Sequence, residues 1–570
     1  MVRGLREAGV EKLFGYPGGA VLDICDAFAV EDSGIDFILT RHEQGAIFAA
    51  DGYARATGKT GVCLATSGPG ATNLITGLAN AHMDSVPVVA ITGQVTTRLL
   101  GTDAFQEADT FGITLPITKH NYLVASAGEL PQVLRQAFHI ASTGRRGPVL
   151  VDIPRDVAQS LVSAPSGGDD LGLPGYQPTA EGHPVMLRRA AEALLAAEKP
   201  LIWAGGGVIA SGAADEVRRL AELTGAPVMM SLMGLGALPH HHPLSLGMLG
   251  MHGTPWANWA AKECDLLLAL GVRFDDRATG RLESFAPHAA LVHIDIDPAE
   301  IGKLRKPMVP VVADLGVALP ALRELVAEQR QEGRAEAAAD GLPVATARWR
   351  RAVAKRRSET RWPQVDRPDC RLHPVDVLSE LGRQAGPEAV VVADVGQHQM
   401  FAAQLYPVGG PRRFLTSGGL GSMGYAVPAA MGAQAGLPES TVLAVVGDGG
   451  FQMTGNELAT IADWRLPVKI VIINNGHLGM VRQWQELFFE RRYMAARITG
   501  PDFVKLAEAY GVRGLRVESS AELGAAVAQT LAHPGPVVLD CIVEAEANVF
   551  PIVPPGKGSE DTVEVGSMGQ

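Results

Sequence analysis

Residues 444–458 read AVVGDGGFQMTGNEL. With Val442 and Leu443 before them, they form a buried-strand pattern that stops at Gly447-Asp448-Gly449, a lone carboxylate between two glycines. Twenty-four residues separate Gly449 from Asn474-Asn475, and that pair closes a second apolar run, VKIVII, at 468–473. Neither run alternates apolar with polar residues, so both faces of each strand are covered, as in parallel sheets wrapped by helices. Placed side by side, such strands bring Asp448 and Asn475 to one sheet edge. A carboxylate and an amide oxygen make half of a site for Mg²⁺, which wants near-octahedral oxygen ligands and borrows some from phosphates. The flanking glycines let backbone approach a phosphate, and the helix that follows offers its N-terminal amides. Alone, GDG is a turn aspartate; with the second strand and its Asn pair it becomes a predicted Mg²⁺–diphosphate anchor.

Outward from this point the same grammar recurs. IDFILT leads into helix-like EQGAIFAADGYARATG, then GVCLAT into GPGATNLITGLANAHMD, then PVVAITG. Later come PLIWAGGG, PVMMS, DLLLALG and LVHIDID, then AVVVADVG, TVLAVVGDGG, VKIVIINN and PVVLDCIVE. The fold class read from this is α/β, with three doubly wound parallel-sheet domains at about 1–162, 185–340 and 371–550. Between them, 163–184 is rich in Gly and Pro and reads as a linker. Residues 326–370, dense in Ala, Arg and Glu, read as a surface helix running into a second linker at 341–370. Residues 551–570 read as a C-terminal tail. In such folds ligands sit beyond the carboxyl ends of strands, where every Gly-rich feature of this chain falls.

The 570 residues are 47% hydrophobic and 19% charged, a balance that fits a well-buried globular enzyme. A formal net charge of −12 argues against general binding of nucleic acid or of an anionic membrane. Five cysteines lie far apart with no CxxC, which fits buried thiols in a reducing compartment. No signal-like segment and no apolar run of about 18 residues is found. The expected location is cytoplasmic.

GDG, 24 residues, then NN resembles the motif of the thiamine-diphosphate (ThDP) enzymes. The resemblance implies that Asp448, Asn475 and the backbone carbonyl of His477 bind Mg²⁺. It also implies a glutamate from a separate block that contacts the aminopyrimidine ring nitrogen and promotes the imino form. Glu43, in RHEQGAIFAADGYARATG, stands at a strand-to-helix junction where an ordinary N-terminal helix charge is the plain alternative. Within that family the longer matches, FGYPGGAVLD, GTDAFQEADTFGIT, GVRFDDRATGRLESFAP, VGQHQMFAAQ, TSGGLGSMGYAVPAAMGA and NNGHLGMVRQWQELFFERRY, are similar to the catalytic subunits of acetohydroxyacid (acetolactate) synthases, over roughly residues 4–555.

That resemblance implies further roles. Gly447, Gly449, Gly450, Gln399 and Met480 contact ThDP, Gly421 receives the aminopyrimidine amino group, and Met423 props the bent cofactor. Met400 lies near the cofactor and flavin region. Gly19 offers backbone to the reacting carbonyl, while Phe105 and Gln106 line the entrance. Arg155 stands where the family commonly has Lys, and Phe111-Gly112 replaces a more usual aliphatic pair. Trp484 favours 2-ketobutyrate over pyruvate as second substrate; a plain core tryptophan is its alternative. Arg277 binds the acceptor's carboxylate, with an ion pair to Asp275 or Asp276 as its alternative. A FAD not used for net redox chemistry contacts Arg145, Gly205, Gly206, Gly207, Met251, His252, Arg273, Asp275, Asp295 and Asp314. The family places ThDP between subunits, which implies a homodimer or tetramer, and its catalytic subunit usually works with a small regulatory subunit.

The implied reaction is decarboxylation of pyruvate on ThDP and ligation of the hydroxyethyl carbanion to pyruvate or 2-ketobutyrate, the first common step toward valine, leucine and isoleucine. A FAD-dependent pyruvate oxidase, another ThDP carboligase and a non-catalytic homologue stay open as alternatives. GVRFDDR and RQWQ speak against the first, and the presence of Glu43, Asp448 and Asn475 against the last.

Overall fold

A computed structural model describes residues 1–31, 33–162, 171–332, 342–360 and 372–564. The chain forms two compact units: Met1–Gln177 with Ala389–Gln399 and Leu415–Ala545, and Pro178–Glu388 with Met400–Phe414 and Glu546–Gln570.

The first unit holds two six-stranded sheets. One contains Lys12–Tyr16 (β1), Asp36–Leu39 (β2), Gly61–Ala65 (β3), Val88–Gln94 (β4), His120–Leu123 (β5) and Val149–Pro154 (β6), in the order β2-β1-β3-β4-β6-β5. The second unit's sheet contains Pro200–Ala204 (β7), Val228–Met230 (β8), Ser245–Met248 (β9), Leu266–Leu270 (β10), Ala290–Asp295 (β11) and Val309–Val312 (β12), in the order β12-β11-β10-β7-β8-β9. The first unit's other sheet contains Val390–Ala393 (β13), Phe414–Thr416 (β14), Val442–Gly447 (β15), Lys469–Asn474 (β16), Arg513–Val517 (β17) and Val537–Ile542 (β18), in the order β14-β13-β15-β16-β18-β17. The pairings in these sheets are parallel, for example Gly447 opposite Ile473 and Ile473 opposite Cys541. β3, β4, β6, β7, β10, β13 and β15 are buried along their whole length, which is why their sequences do not alternate.

The two sheets of the first unit follow one strand order. Each sends a helix from its second strand: Glu43–Thr57 after β2 and Ala426–Gly436 after β14. These helices meet backbone to backbone. A Cβ on Gly52 would lie 2.1 Å from the Ala429 carbonyl oxygen, and one on Gly432 would lie 1.8 Å from that of Ala49. Only glycine permits so close an approach. Around this seam lies a buried polar network. Arg55 pairs with Asp51 at 2.5 Å and Asp84 at 2.9 Å, and the Tyr425 hydroxyl donates to Asp51 at 2.7 Å. Asp84 accepts the amides of Gly418 and Gly419, and Ser417 donates to Asn80 at 2.5 Å. The buried charges are thus paired, and the 417–424 loop is tied to the first sheet's helices.

Three expectations are corrected here. Residues 344–359, read as part of a linker, form the helix Val344–Glu359. Its many arginines hide an apolar stripe: Ala347, Trp349 and Val353 are buried, Trp349 lies 5.4 Å from Trp259, and its Nε1 donates to the Pro200 carbonyl. The helix expected from 326 begins earlier, as Leu315–Glu332, and buries Val326. The tail is docked along 551–564: Ile552 pairs with Val563, and the Val553 amide donates to the Met251 carbonyl. Of the expected linkers, residues 163–170, 341 and 361–370, Cys370 among them, lie outside the described residues.

Candidate active site at the strand ends

In an open parallel sheet the ligand crevice forms where adjacent strands send their connections to opposite sides. In the third sheet that point lies between β13 and β15. After β15, Asp448 opens the helix Asp448–Thr454 and is buried. Burial pushes its carboxyl up to about 6; the amides of Asp448, Asn475 and Gly449 oppose this, while Asp540 adds to it. β16 lies beside β15, as expected, so Asn475 leaves the same edge. Its Oδ1 accepts the His477 amide at 3.0 Å, and its Nδ2 lies 3.4 Å from Gln397 Oε1. Asn474 points elsewhere, donating to Asp540 at 2.9 Å.

Sequence reasoning missed three residues here: Asp394, Gln397 and His398, which follow β13. Asp394 accepts the amides of Val395 at 2.7 Å and Gly424 at 3.1 Å, and burial pushes its carboxyl up to about 7. A Cβ on Gly450 would sit 2.5 Å from Asp394 Oδ2, and one on Gly447 would sit 2.9 Å from the His398 ring. His398 Nε2 is buried with no hydrogen-bond partner among the described residues, and burial pushes the ring's pKa down to about 4. The signal was present: VVADVG repeats the acid-then-glycine ending of VVGDGG. Gly449 completes the cradle, since a Cβ there would lie 2.8 Å from Leu478, 3.2 Å from Ile498 and 3.7 Å from the Met423 methyl.

The other expected ThDP residues fall on the flanks. Gly421 has φ +72° in the loop tied down by Asp84. Gln399 is committed to the end of β14, donating to Thr416 Oγ1 at 2.8 Å and the Ser417 carbonyl at 3.2 Å. Met480 and Trp484 lie on the helix Gly479–Phe488 and are half-buried, with Trp484 edge-on to Phe488 at 5.6 Å.

The first sheet gathers Glu43, Gly19 and Gln106 near its own crevice, between β1 and β3. Glu43 begins its helix, is buried, and accepts Asn73 Nδ2 at 2.9 Å. A Cβ on Gly70 would lie 3.2 Å from Glu43 Oε1, whereas one on Gly19 would meet nothing within 4 Å. Gln106 has φ +59° and packs its backbone against Gly68, while Phe105 beside it is 89% exposed. Arg155 follows β6 with Nε 3.7 Å from Asp23. The unusual Gly112 also has a local cause: a Cβ there would stand 2.2 Å from Asp109, whose side chain caps that helix.

In the second unit, Gly205-Gly206-Gly207 follow β7 and Gly271-Val272-Arg273 follow β10 at that sheet's crevice. Read from the other edge the strand order is β9-β8-β7-β10-β11-β12, the arrangement of dinucleotide-binding sheets. A Cβ on Gly207 would touch Gly271 Cα at 2.6 Å. Asp295 ends β11 and Asp314 follows β12; they accept the amides of Asp297 and Gly316. Asp275 caps the helix Asp276–Thr279 through the amides of Arg277 and Ala278. Arg277 has Nη1 3.7 Å from Asp276 and 4.0 Å from Met251 Sδ. His252 is buried with Nδ1 3.1 Å from the Pro551 carbonyl oxygen. Arg145 belongs to the first unit, where its Nε donates to Ser85.

Among the described residues no group of three or more His, Cys, Asp or Glu side chains could hold a metal ion. No helix among the described residues is long and apolar enough to cross a membrane.

Family models described as thiamine pyrophosphate enzyme match the chain three times: the N-terminal TPP-binding domain at residues 1–113, the central domain at 187–322 and the C-terminal TPP-binding domain at 394–541. An acetolactate synthase large subunit of Mycobacterium tuberculosis is 51% identical over 567 residues, covering 98% of this chain and 90% of that protein. The large subunit of acetolactate synthase isozyme 2 of Escherichia coli is 46% identical over 569 residues, covering 99% and 98%.

Proposed function

The chain belongs to the acetolactate synthase family of thiamine pyrophosphate enzymes, and from that premise we propose how its strand ends divide the work of joining two 2-keto acids. It is a ThDP-dependent carboligase that forms acetolactate from pyruvate, or the homologous product when 2-ketobutyrate is the acceptor, at the head of branched-chain amino acid biosynthesis. Bound thiamine diphosphate supplies a thiazolium that accepts the electron pair left as CO₂ departs from pyruvate and yields it to the second 2-keto acid.

The crevice at Asp448 carries this reading. Its glycines leave room that any Cβ would fill, and the buried His398 Nε2 points to a polar group not supplied by the described residues. The Asp448 carboxylate, Asn475 Oδ1 and the His477 carbonyl would hold Mg²⁺, with diphosphate oxygens completing the shell. His398, kept neutral by burial, can donate to the diphosphate. Gly447, Gly449 and Gly450 admit the cofactor, Met423, Met480 and Gln399 flank it, and the Gly421 carbonyl receives the amino group. Glu43 holds a proton at the aminopyrimidine ring nitrogen. Gly19 orients the reacting carbonyl, Phe105, Gln106 and Arg155 shape and charge the entrance, and Arg277 binds the acceptor carboxylate. FAD fits the second unit's strand order and glycine turn, with Gly205, Gly206, Gly207, Met251, His252, Arg273, Asp275, Asp295 and Asp314 as contacts; Arg145 is kept as a further FAD contact on the family resemblance alone, and no step is routed through the flavin. The enzyme acts as a homodimer or tetramer in the cytoplasm beside a small regulatory subunit, with domain boundaries at 162, 185, 340 and 371.

The test is anaerobic acetolactate formation by the purified chain with ThDP, Mg²⁺ and FAD, with oxygen uptake followed in a parallel aerobic sample. Acetolactate without oxygen supports the carboligase; oxygen uptake without acetolactate overturns it in favour of an oxidase. Two further results are expected. Asp448 binds metal only when ionised, so Mg²⁺–ThDP affinity should be constant above its value of about 6 and fall about tenfold per pH unit below it. Titrations at pH 5, 6 and 8 check this. Trp484→Leu should erode the preference for 2-ketobutyrate by about tenfold or more, since one methylene is worth roughly 1–3 kcal/mol, as read from product ratios with both acceptors present.

A further inference from the structure

The helix that opens with Asp448 continues into the turn Gly455–Glu457, and the last side chain of that run is buried against the first sheet. The Glu457 carboxylate accepts the Arg41 amide through both oxygens, at 3.0 and 3.2 Å, and the Thr460 hydroxyl at 2.8 Å. The His42 amide also faces it, and a Cβ on Gly45 would lie 2.2 Å from its Oε1, so the helix Glu43–Thr57 approaches it without a side chain between. A neighbouring contact holds the same turn: the Arg41 guanidinium pairs with Asp463. Arg41 and His42 are the two residues before Glu43.

We propose that Glu457 is a positioning residue for Glu43: its carboxylate, by gripping the Arg41 and His42 amides at the start of the helix, fixes where the Glu43 carboxyl points. The proposal rests on the reading of Glu43 as the residue that serves the aminopyrimidine. A serine or threonine cap would satisfy one amide from within the turn; a buried carboxylate from the turn Gly455–Glu457, distant in sequence, satisfies two and adds charge-assisted strength. Such rigidity matters because a misplacement of about 1 Å can cost about 100-fold in rate.

The experiment uses the full chain with Mg²⁺, ThDP and FAD, and compares Glu457→Gln, Glu457→Ala and Glu43→Gln with wild type. Three quantities are read: kcat with pyruvate, the dissociation constant of ThDP, and hydrogen–deuterium exchange at the thiazolium C2 of bound ThDP. Glu457→Gln keeps the shape but turns an amide donor toward two backbone donors. It should slow C2 exchange and kcat together by about tenfold or more, with ThDP affinity and the KM for pyruvate within about twofold of wild type. Glu457→Ala should go further; if it does not fold, Glu457→Gln alone decides. Exchange at the wild-type rate in Glu457→Gln, or a loss of kcat matched by weaker ThDP binding, overturns the proposal. Wild-type exchange in Glu43→Gln would instead sink the role of Glu43, a failure told apart because it appears in that variant whatever Glu457→Gln does.

Discussion

Glutamine at position 43 is expected to lower acetolactate formation by about 10²–10⁴-fold, the range for losing a positioned proton-transfer group. The change is nearly isosteric, and the Asn73 amide still finds an oxygen there, so the helix start stays in place. What disappears is the carboxyl that can share a proton with the aminopyrimidine nitrogen. Mg²⁺–ThDP affinity should stay near wild type, because the residues proposed to hold metal and diphosphate follow the strands of a different sheet. Steady-state kinetics beside ThDP titration separates the outcomes. Activity within tenfold of wild type would remove Glu43 from the proton path, and a loss tracking weaker ThDP binding would make it a binding residue only.

The second large effect concerns the helix seam. Helix propensity says that Gly432→Ala should stabilise the helix Ala426–Gly436 by about 1 kcal/mol. The structure reverses the sign. The new methyl would lie 1.8 Å from the Ala49 carbonyl oxygen, a backbone atom that cannot turn aside. Overpacking costs about 1–3 kcal/mol, and a backbone clash belongs at the upper end, so the expected result is a thermal midpoint lower by several degrees and a poorer soluble yield. Gly52→Ala, facing Ala429 at 2.1 Å, should behave alike. A midpoint equal to or above wild type in either variant would show that the seam can open.

The parallel architecture was legible because buried strands carry an unbroken apolar signal, and Asp448 with Asn475 because both terminate such strands. Short strands escaped: His120–Leu123 and Arg513–Val517 are sheet edges with mixed burial, so their sequences carry little signal. The helix Val344–Glu359 was hidden because its buried face is narrow and its exposed faces are crowded with arginine. Asp394 and His398 ended a strand as plainly as Asp448 did, but without a partner motif at a telling distance. Glu457 could not be seen at all, because its meaning lies in a contact with amides 416 residues away along the chain.

The seam between Glu43–Thr57 and Ala426–Gly436 has one more consequence. The facing stretches are Ala49-Ala50-Asp51-Gly52 and Ala429-Ala430-Met431-Gly432, and each glycine meets the other stretch's first alanine. Equivalent helices of two sheets with one strand order thus join by an isologous contact, the kind made by the two halves of a symmetric dimer. The first unit behaves as a dimer written into a single polypeptide. Its two halves use one packing solution between them, which leaves their strand ends free to diverge: one half starts a helix on the buried Glu43, the other on the buried Asp448.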